Sequence, residues 1–368
     1  MQAPALFLAL TVASSLLAGK ASAQTTELTP TIRSTSTIVL VPTQVQTHKG
    51  DMLYGLKPEQ FTLLDNGVPQ TVRVEEDSDA QGLALVVVVQ CSRAAWVQFG
   101  RMQGLSTMLD EVMGGAPGHV ALVLYGTEIE LLTPFTSSKA KLAKAFTDVL
   151  PCEDEKNAVT LDAVAYANKL FESSEVTRNG RERRAILLIG ETRDHGSHVK
   201  PAEVVAELGR SNTVVDAVSF NPGQGDLLAI LGGTAPDPVQ AINLIVQALR
   251  KNVPHTLTRL SGGEYTNFSS LKGFESGLHR LSNHVHNFYL LSYRPTFAPD
   301  NPGSPGIHRI TVKIPDYPDA KIRARVSYYA GDGAPPEIPP ELPEETRPAP
   351  APAATPVFDP TPSPAVRP

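Results

Sequence analysis

Gly82-Leu83-Ala84-Leu85-Val86-Val87-Val88-Val89-Gln90-Cys91-Ser92-Arg93-Ala94 decides the fold. It opens as an unbroken apolar run, β-branched at its core, and stops at a short polar loop before a helical pattern begins near Trp96. A run this short and apolar predicts a strand buried on both faces, as at the centre of a parallel sheet. Open α/β sheets collect their binding groups in the loops at the carboxyl ends of such strands, which makes residues 90–94 a candidate functional loop.

Downstream of that strand the chain alternates. Helical spacing of Val97, Leu105, Leu109 and Val112 predicts a helix over 97–113, stopped by Gly114-Gly115. Residues 119–125 read as a second apolar strand, and 128–132 as its hairpin partner at a sheet edge. Helices are expected over 139–150 and 161–171, a strand over 184–190, a helix over 201–210 and a strand over 213–220. This order implies a mostly parallel, Rossmann-like sheet with helices on both faces, an α/β fold. Residues 221–237, rich in Gly, Pro and Asp, read as a loop. Residues 239–251 then read as a helix, 263–267 as a last strand after Ser261-Gly262-Gly263, and 274–285 as a helix.

The flanks differ. Upstream, 37–46 reads as a strand, and 61–74 as a hairpin turning at Asn66-Gly67, a pair that supplies the positive φ of a tight turn. Residues 77–80 form a polar linker. Downstream, 288–293, 306–314 and 321–329 alternate apolar and polar residues as strands do. Neither group has enough partners alone, so the two are expected to join in a small β subdomain. The expected organisation is a signal peptide over 1–23, an N-terminal β segment over 24–80, the α/β domain over 81–270, and a C-terminal helix and strands over 271–330 that pack with the N-terminal β segment. A disordered Pro-rich tail over 331–368 completes it.

Residues 3–18 are apolar and Ala21-Ser22-Ala23 fits a small-x-small cleavage site, so the chain reads as secreted or periplasmic, with no membrane span after cleavage; an uncleaved anchor is the alternative. The 368 residues carry a formal net charge of −6 and no basic cluster, which argues against a nucleic-acid partner. Only two cysteines are present, Cys91 and Cys152; an even count in an exported chain permits a disulfide, and two thiols fall short of a zinc site. No Gly-x-Ser-x-Gly, Walker loop, Gly-x-Gly-x-x-Gly after a strand or His-Glu-x-x-His occurs, so no enzyme is expected.

Several segments together carry a family resemblance. These are Leu56-Lys57-Pro58-Glu59-Gln60-Phe61, Leu64-Asp65-Asn66-Gly67-Val68-Pro69-Gln70, Thr160-Leu161-Asp162-Ala163-Val164, Tyr289-Leu290-Leu291-Ser292-Tyr293-Arg294-Pro295 and Ala324-Arg325-Val326-Ser327-Tyr328-Tyr329. In order and spacing they resemble the von Willebrand factor type A domain, in the VWFA-related form of exported acidobacterial proteins, over about residues 35–330.

That resemblance implies adhesion or complex assembly, and a metal-ion-dependent adhesion site at the top of the sheet built on Asp-x-Ser-x-Ser, a Thr and a further Asp. This sequence departs from the pattern. Gln90 stands in place of the first Asp, Ser92 is kept, and Ala94 replaces the second Ser. The Thr position falls on Ala158, with Thr160 two residues on, and Glu191 stands near the last Asp. A neutral amide and one hydroxyl do not offset the cost of dehydrating Mg²⁺. The site reads as degenerate, with no cofactor expected and Mg²⁺ or Mn²⁺ disfavoured; its remaining ligands would be Ser92, Thr160 and Glu191. The resemblance also brings the loops of Cys91 and Cys152 together, which suggests a disulfide between them, two separate thiols being the alternative.

The expected function is an exported protein-interaction module whose partner-binding groups are Gln90, Ser92, Arg93, Thr160, Glu191 and Asp194. Two alternatives remain: a cation-dependent adhesion domain, and an exported hydrolase or thiol enzyme using Cys91. The cluster Glu191-Thr192-Arg193-Asp194-His195-Gly196-Ser197-His198 reads as a polar surface loop rather than a transition-metal site. His279, His284 and His286 read as surface or packing residues.

Overall fold

The computed structural model describes residues 38–75, 82–96, 98–101, 105, 112–113, 117–152, 155–178, 182–220, 238–296 and 306–331. The N-terminal apolar segment, the linker 77–80, most of the helix expected over 97–113, the loop 221–237 and the Pro-rich tail lie outside them.

The described strands are β1 (Val39–Gln46), β2 (Thr62–Asp65), β3 (Val68–Gln70), β4 (Arg73–Val74), β5 (Leu83–Gln90), β6 (Gly118–Tyr125), β7 (Ile129–Thr136), β8 (Arg183–Glu191), β9 (Val214–Phe220), β10 (Tyr265–Asn267), β11 (Tyr289–Tyr293), β12 (Gly306–Lys313), β13 (Lys321–Ala324) and β14 (Ser327–Ala330). The helices are α1 (Arg93–Trp96), α2 (Lys139–Thr147), α3 (Thr160–Ser173), α4 (Glu175–Arg178), α5 (Pro201–Ser211), α6 (Pro238–Lys251), α7 (Val253–Ser261) and α8 (Leu271–His286).

All eight residues of β5 are buried. The strand lies between β6 and β8 and runs parallel to both, in a six-stranded sheet ordered β10-β9-β8-β5-β6-β7. Only β7, at one edge, is antiparallel. The side chains of β5 alternate between two cores. Ala84, Val86 and Val88 meet Leu161, Phe171, Ile245 and Leu257 from α3, α6 and α7. Leu83, Leu85, Val87 and Val89 meet Phe274, Leu278 and Leu281 of α8 together with Leu105 and Val112. A strand with an apolar layer on each face has no polar face to present, which is why its sequence does not alternate. The expected α/β fold with helices on both faces is therefore present.

The flanking strands join as expected, into two four-stranded sheets ordered β13-β1-β11-β4 and β14-β12-β2-β3. Between them lies a third core that includes Val41, Phe61, Leu63, Leu291 and Ile310. The β2–β3 turn has Asn66 at φ 47° and Gly67 at φ 87°, the conformation its sequence signals.

Three details differ from the sequence expectation. The segment 321–329 is two strands in different sheets, β13 paired with β1 and β14 with β12. The break falls at Arg325, whose side chain turns inward instead of continuing the alternation. The helix α7 was not anticipated: Pro254 sits in its first turn, Asn252 accepts a bond from the His255 N–H at 3.0 Å, and Gly262 ends it at φ 88°. The strand β10 that follows is short. Lastly, α8 buries Phe274, Leu278, Leu281 and Val285 in the central core. It belongs to the α/β layer rather than to the flanking strands with which it was grouped.

Arg325 joins the two parts. It is 2% exposed. Its guanidinium donates to the Ser327 carbonyl (2.8 Å), the Leu40 carbonyl (3.1 Å), Asn212 Oδ1 (2.7 Å) and the Gly209 carbonyl (2.8 Å). Asn212 closes α5 at φ 53° and accepts a further bond from the Leu40 N–H at 3.3 Å. The backbones approach closely here: a Cβ at Gly262 would stand 2.7 Å from the Arg325 nitrogen. Burial pulls the Arg325 pKa down to about 10, so the side chain stays charged at neutral pH.

Replacing Arg325 with Met keeps the stem but strips the donors, leaving buried acceptors unmatched. The expected loss is about 3–5 kcal/mol of unfolding free energy, read from the midpoint of a urea titration. A loss within experimental error would show that the junction does not depend on these bonds.

Candidate functional site

The carboxyl ends of β5, β6 and β8 converge with the start of α3, and most of the site residues expected from the sequence meet there. Gln90 ends β5 and is wholly buried. Its Nε2 donates to Ser92 Oγ and to Glu191 Oε1, both at 2.8 Å. Its Oε1 accepts the Glu191 backbone N–H at 2.7 Å. The amide orientation follows from chemistry: the backbone N–H can only donate and the carboxylate only accepts. One neutral side chain thus holds together the hydroxyl of Ser92 and the carboxylate of Glu191.

The other loops interlock through their backbones. The Cys91 N–H donates to the Tyr125 carbonyl, the Cys152 N–H to the Cys91 carbonyl and the Arg93 N–H to the Glu155 carbonyl, each at 2.8 Å. The Sγ atoms of Cys91 and Cys152 lie at bonding distance, 2.11 Å, with Cα atoms 5.0 Å apart. Glu155 Oε2 accepts the Thr127 N–H, and also the Glu128 N–H at 3.3 Å. The loop after β8 is fastened to α3: Asp194 Oδ1 accepts the Leu161 N–H at 3.0 Å, and the His195 N–H donates to the Ala158 carbonyl at 2.8 Å.

Asp162 binds the same loop from the other side. Its carboxylate accepts the Val199 N–H at 2.8 Å and the His198 N–H at 2.9 and 3.0 Å. Burial on its own would raise the Asp162 pKa, but these N–H groups and the His198 ring outweigh it and hold the carboxyl below its usual value. The segment 194–199 is therefore a fastened cap on the helix.

Thr160 is buried, with its hydroxyl directed at the Ala158 and Arg193 carbonyls at 3.4 and 3.5 Å. Arg93 is exposed, as is Trp96 at 52%, both on the short helix leaving the β5 loop. Tyr125, Gly190, Glu155 and Asp162 were not singled out by sequence. Tyr125 ends β6 and Gly190 is the last residue but one of β8, the carboxyl-end position that could have marked them. Burial foremost raises the Tyr125 phenol far above its usual value, against a lowering from Thr160; the Glu191 and Asp194 carboxylates raise it further. The phenol therefore stays neutral at the centre of the pole.

No family model matches the chain. No curated protein matches it. Solved structures that are similar include the proximal thread matrix protein 1 of the mussel byssus, at 10% identity and TM-score 0.40, covering 55% of this chain and 47% of that one. This chain thus spans about half the length of that protein. They also include the conserved hypothetical protein BatB of Bacteroides thetaiotaomicron, at 13% identity and TM-score 0.37, covering 55% and 100%. The SpRpn10 VWA domain is similar at 12% identity and TM-score 0.35, covering 59% and 100%.

Gly190 allows Tyr125 to cross the sheet end: a Cβ there would stand 2.2 Å from Tyr125 Oη and 3.0 Å from Gln90 Oε1. Gly190→Ala should cost about 1–3 kcal/mol by overpacking, measured by urea unfolding; a neutral outcome would mean that the pole yields easily. The six-stranded sheet with one antiparallel edge and its two helical layers give the chain a Rossmann-like α/β fold with this pole of loops at the carboxyl end of its parallel strands.

Proposed function

We propose that the chain is an exported, non-enzymatic protein-interaction module that uses the β5, α3 and β8 loop pole without a metal ion. The observation that carries this reading is the Gln90 amide. A divalent cation at this pole needs converging hard oxygens, with several waters retained. Here two N–H bonds point at the Ser92 oxygen and the Glu191 carboxylate, so a partly positive group stands where the ligands converge. Ala94 offers no oxygen, and the Thr160 hydroxyl is directed at backbone carbonyls. The donor set does not fit Mg²⁺ or Mn²⁺.

The hydrogen bonds and backbone links described above give the pole its rigidity in place of a metal. Recognition would rest on exposed groups at its rim. Trp96 and Arg93 lie three positions apart on α1 and are exposed, and Trp and Arg are over-represented among residues that dominate binding energy. The thiol-enzyme alternative loses support because the Cys91 sulfur is at bonding distance from Cys152 and has no free thiolate to offer. Among the described residues no helix is long and apolar enough to cross a membrane.

Thermal melts with EDTA, Mg²⁺, Mn²⁺ and Ca²⁺ test the metal-free reading. A ligand that binds only the folded state must raise its melting temperature. The native chain should melt at one temperature in all four, whereas the double variant Gln90→Asp, Ala94→Ser should gain several degrees with Mg²⁺ or Mn²⁺. A gain of that size in the native chain would overturn the proposal.

Intact-mass measurement of the exported protein tests its compartment and its sulfur chemistry together. The expected species begins at Gln24 and is two hydrogens lighter than after reduction. With the cysteines 61 positions apart, reduction should cost about 4 kcal/mol of stability in the chain-entropy model. A full-length mass with two titratable thiols would sink both parts.

A further inference from the structure

At the opposite end of the sheet, by the amino ends of β5, β8 and β9, lies a cavity of about 180 Å³. Its apolar wall comes from both parts of the molecule: Leu83 and Val214 from the central sheet, Val285 from α8 and Phe288 just beyond it, and Leu40 and Leu290 from the flanking sheet. Leu83 and Val285 belong to the core between the sheet and α8, so the cavity lies on that face. An engineered core cavity of about 150 Å³ takes up benzene, so this one has room for a ring or a short aliphatic chain.

Two polar side chains on that face line the cavity and are almost wholly buried, Asp216 at 2% and His284 at 4% exposure. Asp216 Oδ1 accepts the Glu264 N–H at 2.8 Å, while its Oδ2 accepts no hydrogen bond among the described residues. His284 Nδ1 stands 3.3 Å from the same Oδ1 without forming a hydrogen bond, and its ring stacks on Phe288 with centroids 6.2 Å apart. Arg183 borders the same space, but its guanidinium is engaged: it lies 5.2 Å from the centre of the Phe288 ring and donates to the Val285 carbonyl at 3.0 Å. The side chains of Arg184 and Glu182 turn to the other face of the sheet, toward Phe171 and His119. Among the described lining residues, Asp216 and His284 are thus the groups with bonding capacity to spare.

We propose that this cavity binds a small organic cation: a primary ammonium group held by Asp216 and His284, on a short aliphatic or aromatic body that lies against Leu83, Val214, Val285 and Leu290. A carboxylate taken out of water is costly unless it is paired and hydrogen-bonded, and the Glu264 N–H meets only one of its oxygens. An ammonium group has three donors. One makes a charge-assisted bond to Asp216 Oδ2, and a second meets the acceptor nitrogen of a neutral His284 ring. An alcohol donates once and brings no charge, and a carboxylate sets a second negative charge beside Asp216. The rest of the wall is apolar, the mix usual in ligand pockets, where a few placed polar groups orient a largely apolar body. The cavity is remote from the loop pole, and this inference stands independently of the function proposed there.

Calorimetric titration and thermal melts of the full-length chain test it, with phenethylamine and n-hexylamine as probes. The controls are 2-phenylethanol, which keeps the shape without the charge, and 3-phenylpropionate, which reverses the charge. Saturable binding of an amine is expected, with a rise in melting temperature. Each control should bind about tenfold or more weakly, as expected when a buried group is left unpaired. Asp216→Asn keeps the side-chain shape and an acceptor for the Glu264 N–H, and should weaken phenethylamine to a similar degree while narrowing its advantage over the alcohol. Val214→Phe fills the cavity from the sheet side without touching the carboxylate, and should abolish binding of the amines. It carries the test if Asp216→Asn does not fold; circular dichroism of both variants without ligand checks this. The proposal is overturned if neither amine binds at millimolar concentration. Equal binding of the alcohol or the carboxylate would also overturn it, leaving an apolar or hydrated cavity only, as would wild-type affinity in either folded variant.

Discussion

A single buried guanidinium holds the two halves of this molecule in register. Arg325 reaches the backbone of β1, the end of α5 and the start of β14 at once, and its donors are matched by carbonyls and by the amide of Asn212. A charge this deeply buried is tolerated only with its hydrogen bonds filled, so the surrounding backbone has little freedom. Gly262 and Asn212 fit that demand, one by lacking a Cβ where the chains approach and one by accepting a left-handed conformation. The cavity with Asp216 and His284 lies at the same junction, lined in part by Asn212 and Leu40.

A second buried hub organises the flanking sheets. Asp65 accepts the Tyr328 hydroxyl at 2.7 Å, the Tyr293 hydroxyl at 3.1 Å and contacts His308 Nδ1 at 2.9 Å. Burial and this carboxylate raise the phenols of Tyr293 and Tyr328 far above their usual values, so both remain donors at all ordinary pH. Gln70 joins the same layer by accepting the Thr296 N–H at 2.8 Å and donating to the Thr296 carbonyl at 2.9 Å. Asp65, Gln70, Tyr293 and Tyr328 come from segments that carried the family resemblance. In this molecule those segments fasten the β layers to each other, and the loop pole lies elsewhere.

At that pole the departure from the adhesion-site pattern has a structural counterpart. An amide at position 90 donates twice and accepts once, where a carboxylate could only accept. The exchange turns groups that could surround a cation into groups bonded to one another.

The central sheet was legible because burial on both faces writes itself locally, as the continuous apolar run of residues 83–89. The hairpin at Asn66-Gly67 was legible for a similar reason, since a positive φ restricts residue type. The helix α7 was obscured by Pro254, a helix breaker that is harmless in the first turn. The inward turn at Arg325 was hidden within a plausible strand pattern. At the loop pole the sequence by itself determined which oxygens are present and which are missing, because ligand chemistry belongs to residue identity. Only the tertiary structure decided that Gln90 bonds both Ser92 and Glu191, and that Asp194 and Asp162 clamp one loop to α3. Gln90 and Glu191 are 101 positions apart, and the loop and helix residues that clamp each other 33 to 37, and no local pattern encodes a contact that the packing of separate elements creates.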